Sequence, residues 1–206
     1  MYADDVQLYL KFKPSASSSS SVVTSMQNCI EEIRLWMTNN MLKLNDSKTE
    51  FLFLQKKNQL PFNSIRQLSI GNSIVQPSSK DRNLGVILDQ ELTMQPHVSS
   101  VCRSAYYHLR NIAKIRNFLT QSAAQSRVHP FVTSRIDSCN SLLYGVSTTI
   151  LHKLQRVQNS AARLVKRVGK CEHITPILSE LHWLPVTHRI IFKVLLLTFK
   201  ALHIYI

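Results

Sequence analysis

Apolar side chains recur along this chain with two different periods, and the change between them falls near residue 92. Val6, Leu8, Leu10 and Phe12 alternate with Gln7, Tyr9 and Lys11, the period of two that predicts a half-buried strand. Pro14 and the run Ser15 to Ser21 read as a flexible, low-complexity linker. Val22, Met26, Ile30, Ile33 and Met37 then recur at helical spacing, with Trp36 beside them, and Asn39-Asn40 closes that helix. Leu42, Leu44 and Phe51 to Leu54 read as extended, with a turn at Asn45-Asp46. Beyond a polar connection from Gln55 to Ser64, the segments Leu68 to Ile70 and Ile74-Val75 flank Gly71-Asn72-Ser73 as a short hairpin. Leu84 to Leu88 predicts a further strand.

From Thr93 the spacing becomes helical. Val98, Val101, Ala105, Leu109, Ile112, Ile115 and Leu119 form one apolar face, with Arg103, Arg110, Lys114 and Arg116 between them. A second helical stretch starts near Ser122, is kinked or divided by Pro130, and ends at Tyr144-Gly145. A third runs from about Thr149 to Val168 on Ile150, Leu154, Val157, Ala161, Leu164 and Val168, with Gly169 as its expected stop. A short helix near Pro176 to Leu181 precedes Trp183-Leu184-Pro185, and a last helix begins near Thr187. The expected fold is α+β: residues 1–91 mixed, residues 92–206 mostly helical.

Charge sharpens that division. Residues 1–91 hold 10 bases and 9 acids; residues 92–206 hold 15 bases, 3 acids and all 8 His. The second part therefore carries almost the whole net charge of +13, and a polyanion is its expected partner. A solvated basic surface is the competing reading. Only 4 Gly occur in 206 residues, which argues against Gly-rich phosphate loops and turn-dense all-β folds. The four scattered cysteines, Cys29, Cys102, Cys139 and Cys171, read as reduced thiols of an intracellular protein. No signal peptide or membrane span is expected. Cys171, His173, His182 and His188 follow no chelating spacing.

Tyr2-Ala3-Asp4-Asp5 places two adjacent acids at the start of the alternating segment. Phosphoryl transfer to a nucleotide employs paired divalent ions, and hard Mg²⁺ prefers carboxylate oxygens. Neighbouring strand residues point to opposite faces, so Asp4 would be the main ligand and Asp5 the accessory one. The same pair also suits an ordinary solvated turn. What changes the balance is the order of segments downstream.

Tyr2-Ala3-Asp4-Asp5 resembles the catalytic hairpin of reverse transcriptases. Leu44-Asn45-Asp46-Ser47-Lys48-Thr49-Glu50-Phe51 resembles the next palm motif of non-LTR (LINE-type, jockey-like) retrotransposon polymerases, and Asn83-Leu84-Gly85-Val86-Ile87-Leu88-Asp89 resembles the primer-grip hairpin after it. Ser134 to Gly145 and Leu181-His182-Trp183-Leu184-Pro185-Val186 are similar to segments beyond the palm in such elements. The resemblance covers essentially the whole chain, in order. It implies the end of a palm over residues 1–91, followed by a helical thumb and C-terminal extension over 92–206. It also implies that Asp4 and Asp5 bind catalytic Mg²⁺, and that Tyr2 lies near the primer end or incoming nucleotide. Lys48 would help protonate the leaving pyrophosphate, unless it is an ordinary strand-edge lysine. Leu84, Gly85 and Val86 would shape the primer-holding hairpin.

The implied partners are an RNA template, a DNA primer duplex and deoxynucleoside triphosphates, with no membrane and no obligate protein partner. The fingers and the first catalytic Asp fall outside the resemblance, so the chain by itself is expected to have negligible polymerase activity. Arg103, Arg110, Lys114, Arg116, Lys153, Arg156, Arg163, Lys166, Arg167 and Lys170 are the candidates for tracking duplex phosphates. Tyr106, Tyr107, Phe131 and Trp183 could stack on bases, although core packing accounts for them as well. A non-enzymatic basic nucleic-acid-binding protein, or a decayed retroelement remnant, is the rival reading.

Overall fold

A computed structural model describes residues 6–12, 16–55, 67–71 and 73–203, with backbone only for 16–20. The fold is α+β with a helical C-terminal part. The chain divides into two compact units, one of residues 1–82 with 89–92, the other of residues 83–88 with 93–206. No helix among the described residues is long and apolar enough to cross a membrane.

The first unit is built on helix α1 (Ala16–Asn39) and a set of short strands: β1 (Phe51–Leu52), β2 (Leu68–Ile70), β3 (Ser73–Val75) and β4 (Pro77–Ser78). β2 and β3 pair antiparallel around Gly71 as the expected hairpin, with Leu68 opposite Val75 and Ile70 opposite Ser73. β1 pairs parallel with β4, Phe51 opposite Pro77. Ile30, Leu68 and Ile70 are buried together, with Val23, Met26, Leu44, Phe51 and Val75 packed around them. The predicted inner face of α1 is the one that turns inward, while Leu35 and Trp36 are exposed. Past Asn39 the chain reverses through Met41 at φ 59°, and Leu42 N–H returns to the Met37 carbonyl at 2.8 Å.

Two expectations for this unit are corrected. Residues 6–12 form no strand and Tyr9 is almost fully exposed. An alternating segment becomes a strand only when a neighbour supplies its ladder, and no described strand pairs with it. The serine run is also not a linker, because α1 already runs from Ala16. Serine costs only about half a kcal/mol per residue in a helix relative to alanine. Its hydroxyl can fold back on the preceding turn, as Ser25 Oγ does on the Ser21 carbonyl at 2.9 Å. Most of the predicted polar connection, 56–64, lies outside the described residues.

β5 (Lys80–Asn83) and β6 (Val86–Asp89) pair through the two-residue loop Leu84-Gly85. Both loop residues have positive φ, 45° and 85°. That is the requirement of a tight hairpin whose twist matches its strands. The predicted strand therefore begins at Val86, and Leu84 and Gly85 form the tip.

The second unit comprises α2 (Gln95–Ile115), α3 (Gln121–Val128), α4 (Ser134–Asp137), α5 (Thr148–Lys166), α6 (Ile174–Glu180) and α7 (Val186–His203). Pro96 opens α2, and Thr120 Oγ1 caps α3 by accepting from Ala123 N–H at 3.2 Å. Pro130 divides the predicted second stretch: a π-helical turn, His129–Thr133, joins α3 to α4. The core is one cluster centred on Val98, Ala105, Leu109 and Ile112 of α2 and Leu154, Val157, Ala161 and Val165 of α5. Val86 and Val186 complete it from β6 and α7.

α5 ends at Arg167, not at Gly169. Arg167 adopts the left-handed conformation, φ 56° and ψ 39°, and its N–H returns to the Arg163 carbonyl. A non-glycine residue there costs about 1–2 kcal/mol. Three hydrogen bonds from its guanidinium, described next, offset that cost.

Candidate nucleic-acid interface

α2 and α5 pack side by side in the same direction. Near their N-terminal ends Lys153 acts electrostatically on the Cys102 thiol. Near their C-terminal ends Arg116 reaches α5: Nε donates to the Leu164 carbonyl at 2.8 Å and Nη2 to the Val165 carbonyl at 2.6 Å. Its Nη1 donates to the Leu119 carbonyl at 2.7 Å. Arg167 Nη2 reaches back to the carbonyls of Arg116, Asn117 and Leu119 at 2.9–3.2 Å. Two cations thus cap carbonyls at the C-terminal end of α5 and in the turn that follows α2. Burial, then the charge of Arg167, depresses the Arg116 pKa from its ordinary value.

This arrangement sorts the predicted phosphate contacts. Arg116 is buried at 8% exposure and its donors are engaged, so it is a structural strut, not a surface cation. Arg167 is exposed but holds three carbonyls. Lys166 is half-buried and ion-paired with Glu180 at 2.6 Å. Arg163 is half-buried and donates to the Glu172 carbonyl at 3.2 Å. Lys153 is half-buried, and its charge acts on the Cys102 thiol. Arg103, Arg110, Lys114, Arg156 and Lys170 are exposed.

Three of these exposed cations share a stripe. Arg103, Arg110 and Lys114 fall at i, i+7 and i+11 on α2, within one face of a 3.6-residue helix and spread over about 16 Å of its axis. Tyr107, at i+4, lies on the same stripe and is 56% exposed. Its ring meets His108 edge-on at 5.3 Å between centroids, and His108 stacks on Phe131 at 4.9 Å. Phe118, four residues past Lys114, is 88% exposed. The sequence reading named Tyr107 and Phe131 but missed Phe118. The i+4 step from Lys114 was the available signal. Trp183 packs against the core.

The segment from Leu181 to Val186 is fastened to α5 by two glutamines. Gln158 Nε2 donates to the Leu184 carbonyl at 2.8 Å, and the Val186 N–H donates to Gln155 Oε1 at 2.9 Å. Gln155 Nε2 in turn donates to Gln158 Oε1 and Asn159 Oδ1.

Of the catalytic candidates, Tyr2, Asp4 and Asp5 lie outside the described residues. Lys48 is exposed at the end of a 3₁₀ turn, Asp46–Lys48. Arg34 holds that turn through an ion pair with Asp46 at 2.5 Å, which raises the arginine pKa. Leu84 is exposed at the hairpin tip, and Val86 is buried. The β6 backbone is fixed by the Ile87 N–H donating to His97 Nδ1 at 3.4 Å. Among the described residues no group of three His, Cys, Asp or Glu side chains is gathered to hold a metal ion.

Over 167 residues, 80% of this chain, the sequence is 22% identical to a protein of Drosophila melanogaster described as a probable RNA-directed DNA polymerase from transposon BS. That is distant homology to a retrotransposon polymerase. It supports a relationship with the reverse transcriptase family. The aligned stretch spans 18% of that protein's length. No protein-family model matches the chain, and no solved structure matches it.

Proposed function

We propose that these 206 residues are the end of the palm and the thumb of a non-LTR, LINE-type reverse transcriptase. The observation that carries the reading is the similarity to a transposon polymerase across four-fifths of the chain. The motif order agrees with it, and so does the basic helical unit.

In this reading Asp4 and Asp5 hold Mg²⁺ together with a third carboxylate from outside these residues. The bound ions would polarise the phosphoryl group and stabilise the leaving oxygen during nucleotidyl transfer. Tyr2 lies beside the primer end or the incoming nucleotide, and Lys48 supplies a proton toward pyrophosphate. The tip at Leu84 and Gly85 rests on the primer strand, and buried Val86 anchors the hairpin beneath it. Gly85 fits that part, because a Cβ there would meet nothing within 4 Å and the tip has room for a close neighbour. The exposed cations of α2 and α5 hold the phosphates of an RNA-template, DNA-primer duplex, while deoxynucleoside triphosphates enter elsewhere in the intact enzyme.

The test is primer extension by the purified chain with Mg²⁺, an RNA template, a DNA primer and deoxynucleoside triphosphates. Duplex binding without extension is expected. Product from this chain alone would overturn the assignment to palm end and thumb. A second reading, a binding module without catalysis, is favoured by the concentration of the net positive charge in residues 92–206. It gives the same assay result but differs in the DNA 5′ of the Met1 codon. There the polymerase reading requires an in-frame sequence bearing the missing carboxylate.

A further inference from the structure

We propose that the outer stripe of α2 and the turn after it form a platform for an unpaired nucleic-acid strand. Tyr107 and Phe118 stack on bases, and Arg103, Arg110 and Lys114 hold the phosphates between them. This rests on the reading of the second unit as a nucleic-acid-binding part and deepens it, by naming a single strand as a further ligand of the face whose cations also hold duplex phosphates.

Three observations carry it. The first is the mixture of residues. A purely electrostatic face needs no aromatic rings, whereas this stripe interleaves exposed cations with exposed rings, and α2 contains no acidic residue at all. Interleaving of this kind suits single strands, whose base faces are free to stack; in a duplex those faces are hidden.

The second is rigidity at both ends. The Tyr107 ring is propped by His108, itself stacked on Phe131. Phe118 projects from a 3₁₀ turn, Arg116–Phe118, and the carbonyls on either side of it are held: Asn117 O by Arg167, and Leu119 O by both Arg116 and Arg167. A ring 88% exposed on so firmly pinned a backbone is pre-organised for a partner.

The third is charge complementarity. An apolar protein partner would leave Arg103, Arg110 and Lys114 to be desolvated without counter-charges, whereas a polynucleotide supplies one phosphate per stacked base.

The experiment measures binding of the full chain to labelled oligouridylate, oligothymidylate, an abasic strand with the same number of phosphates, and a duplex. Either base-bearing strand should bind more tightly than the abasic one by about twenty-five-fold or more, the product of two stacks. Tyr107→Leu and Phe118→Leu should each lower single-strand affinity by about five- to a hundred-fold, one stack each, and leave duplex affinity unchanged. Both rings are exposed, and circular dichroism of each variant checks that folding is retained. Arg110→Gln should weaken both ligands. Equal binding of abasic and base-bearing strands, or indifference to both aromatic substitutions, overturns the platform while leaving duplex binding and the proposed function intact. If neither single strand nor duplex binds, the platform and the nucleic-acid reading beneath it fall together.

Discussion

Arg189 of α7 donates from Nη1 to Asp137 Oδ2 of α4 at 2.5 Å, and from Nε to the Leu184 carbonyl at 2.9 Å. One guanidinium therefore ties together 134–145 and 181–186, the two segments beyond the palm motifs that the sequence marks separately. Arg189→Met keeps the side chain's length and loses both bonds. Asp137 is about a third exposed, so the cost should be about 1–2 kcal/mol, below the 3–5 kcal/mol of a fully buried pair. The urea midpoint should fall with little change in slope. A midpoint identical to the parent's would remove the clamp from the account.

Arg116 should behave as a strut. Arg116→Leu removes three hydrogen bonds: it takes the guanidinium from the carbonyls of Leu164 and Val165, and leaves Leu119 with Arg167. At roughly 1 kcal/mol each the loss should be about 3 kcal/mol. Arg116→Lys should rescue less than half of it, because one ammonium cannot span three carbonyls in the fork geometry of a guanidinium. Thermal unfolding of the two variants checks both statements. Full rescue by lysine would mean that charge, not donor geometry, holds the helix ends.

The helical half was legible in the sequence because each amphipathic face packs on another helix of the same unit. Val98, Ala105, Leu109 and Ile112 are buried as their spacing predicts. The same is true of Ile150, Leu154, Val157 and Ala161. The β2–β3 hairpin was legible because Gly71 marks its turn. Residues 6–12 were misread because alternation states a preference for a strand but does not supply the neighbour. Arg116 was misread because a cation between apolar positions looks like surface. What buries it is the C-terminus of α5, some 50 residues away, and no local pattern carries that.

Two glycines with positive φ should respond differently to alanine. A Cβ on Gly85, φ 85°, would meet nothing within 4 Å, so Gly85→Ala should cost only the conformational strain, about 1–2 kcal/mol. A Cβ on Gly71, φ 54°, would run into the Arg34 guanidinium. That group is held in place by Asp46 and cannot swing away without breaking the ion pair. Gly71→Ala should therefore cost more, about 2–3 kcal/mol, strain and part of the ion pair together. Equal effects in hydrogen-exchange protection of the two hairpins would show that Arg34 yields freely.

The exposed cations should register in salt dependence. If Arg103, Arg110 and Lys114 each neutralise one phosphate, replacing all three with glutamine should reduce the log–log slope of duplex affinity against salt by about 3. Sequence preference should not change, because phosphate contacts position a duplex without reading it. Arg167→Gln should change the slope little and stability more, since its Nη2 is committed to three carbonyls. A slope untouched by the triple substitution would move the interface off α2.

Cys102 offers a pH test of the α2–α5 contact. Burial pushes its thiol above the ordinary range, and the charge of Lys153 pulls it partly back. With the folded value above the unfolded one, this group's contribution to stability is fully present below the unfolded pKa. It is lost as pH rises through the folded value. Stability should therefore decline on the alkaline side, and Cys102→Val should flatten that limb. In thiol labelling Cys139 and Cys171, both exposed, should react first, and Cys102 should lag until the pH passes the usual thiol range. Lys153→Met removes the opposing charge, so it should slow Cys102 labelling further at a given alkaline pH. Unchanged labelling in that variant would mean that the Lys153 charge does not reach the thiol.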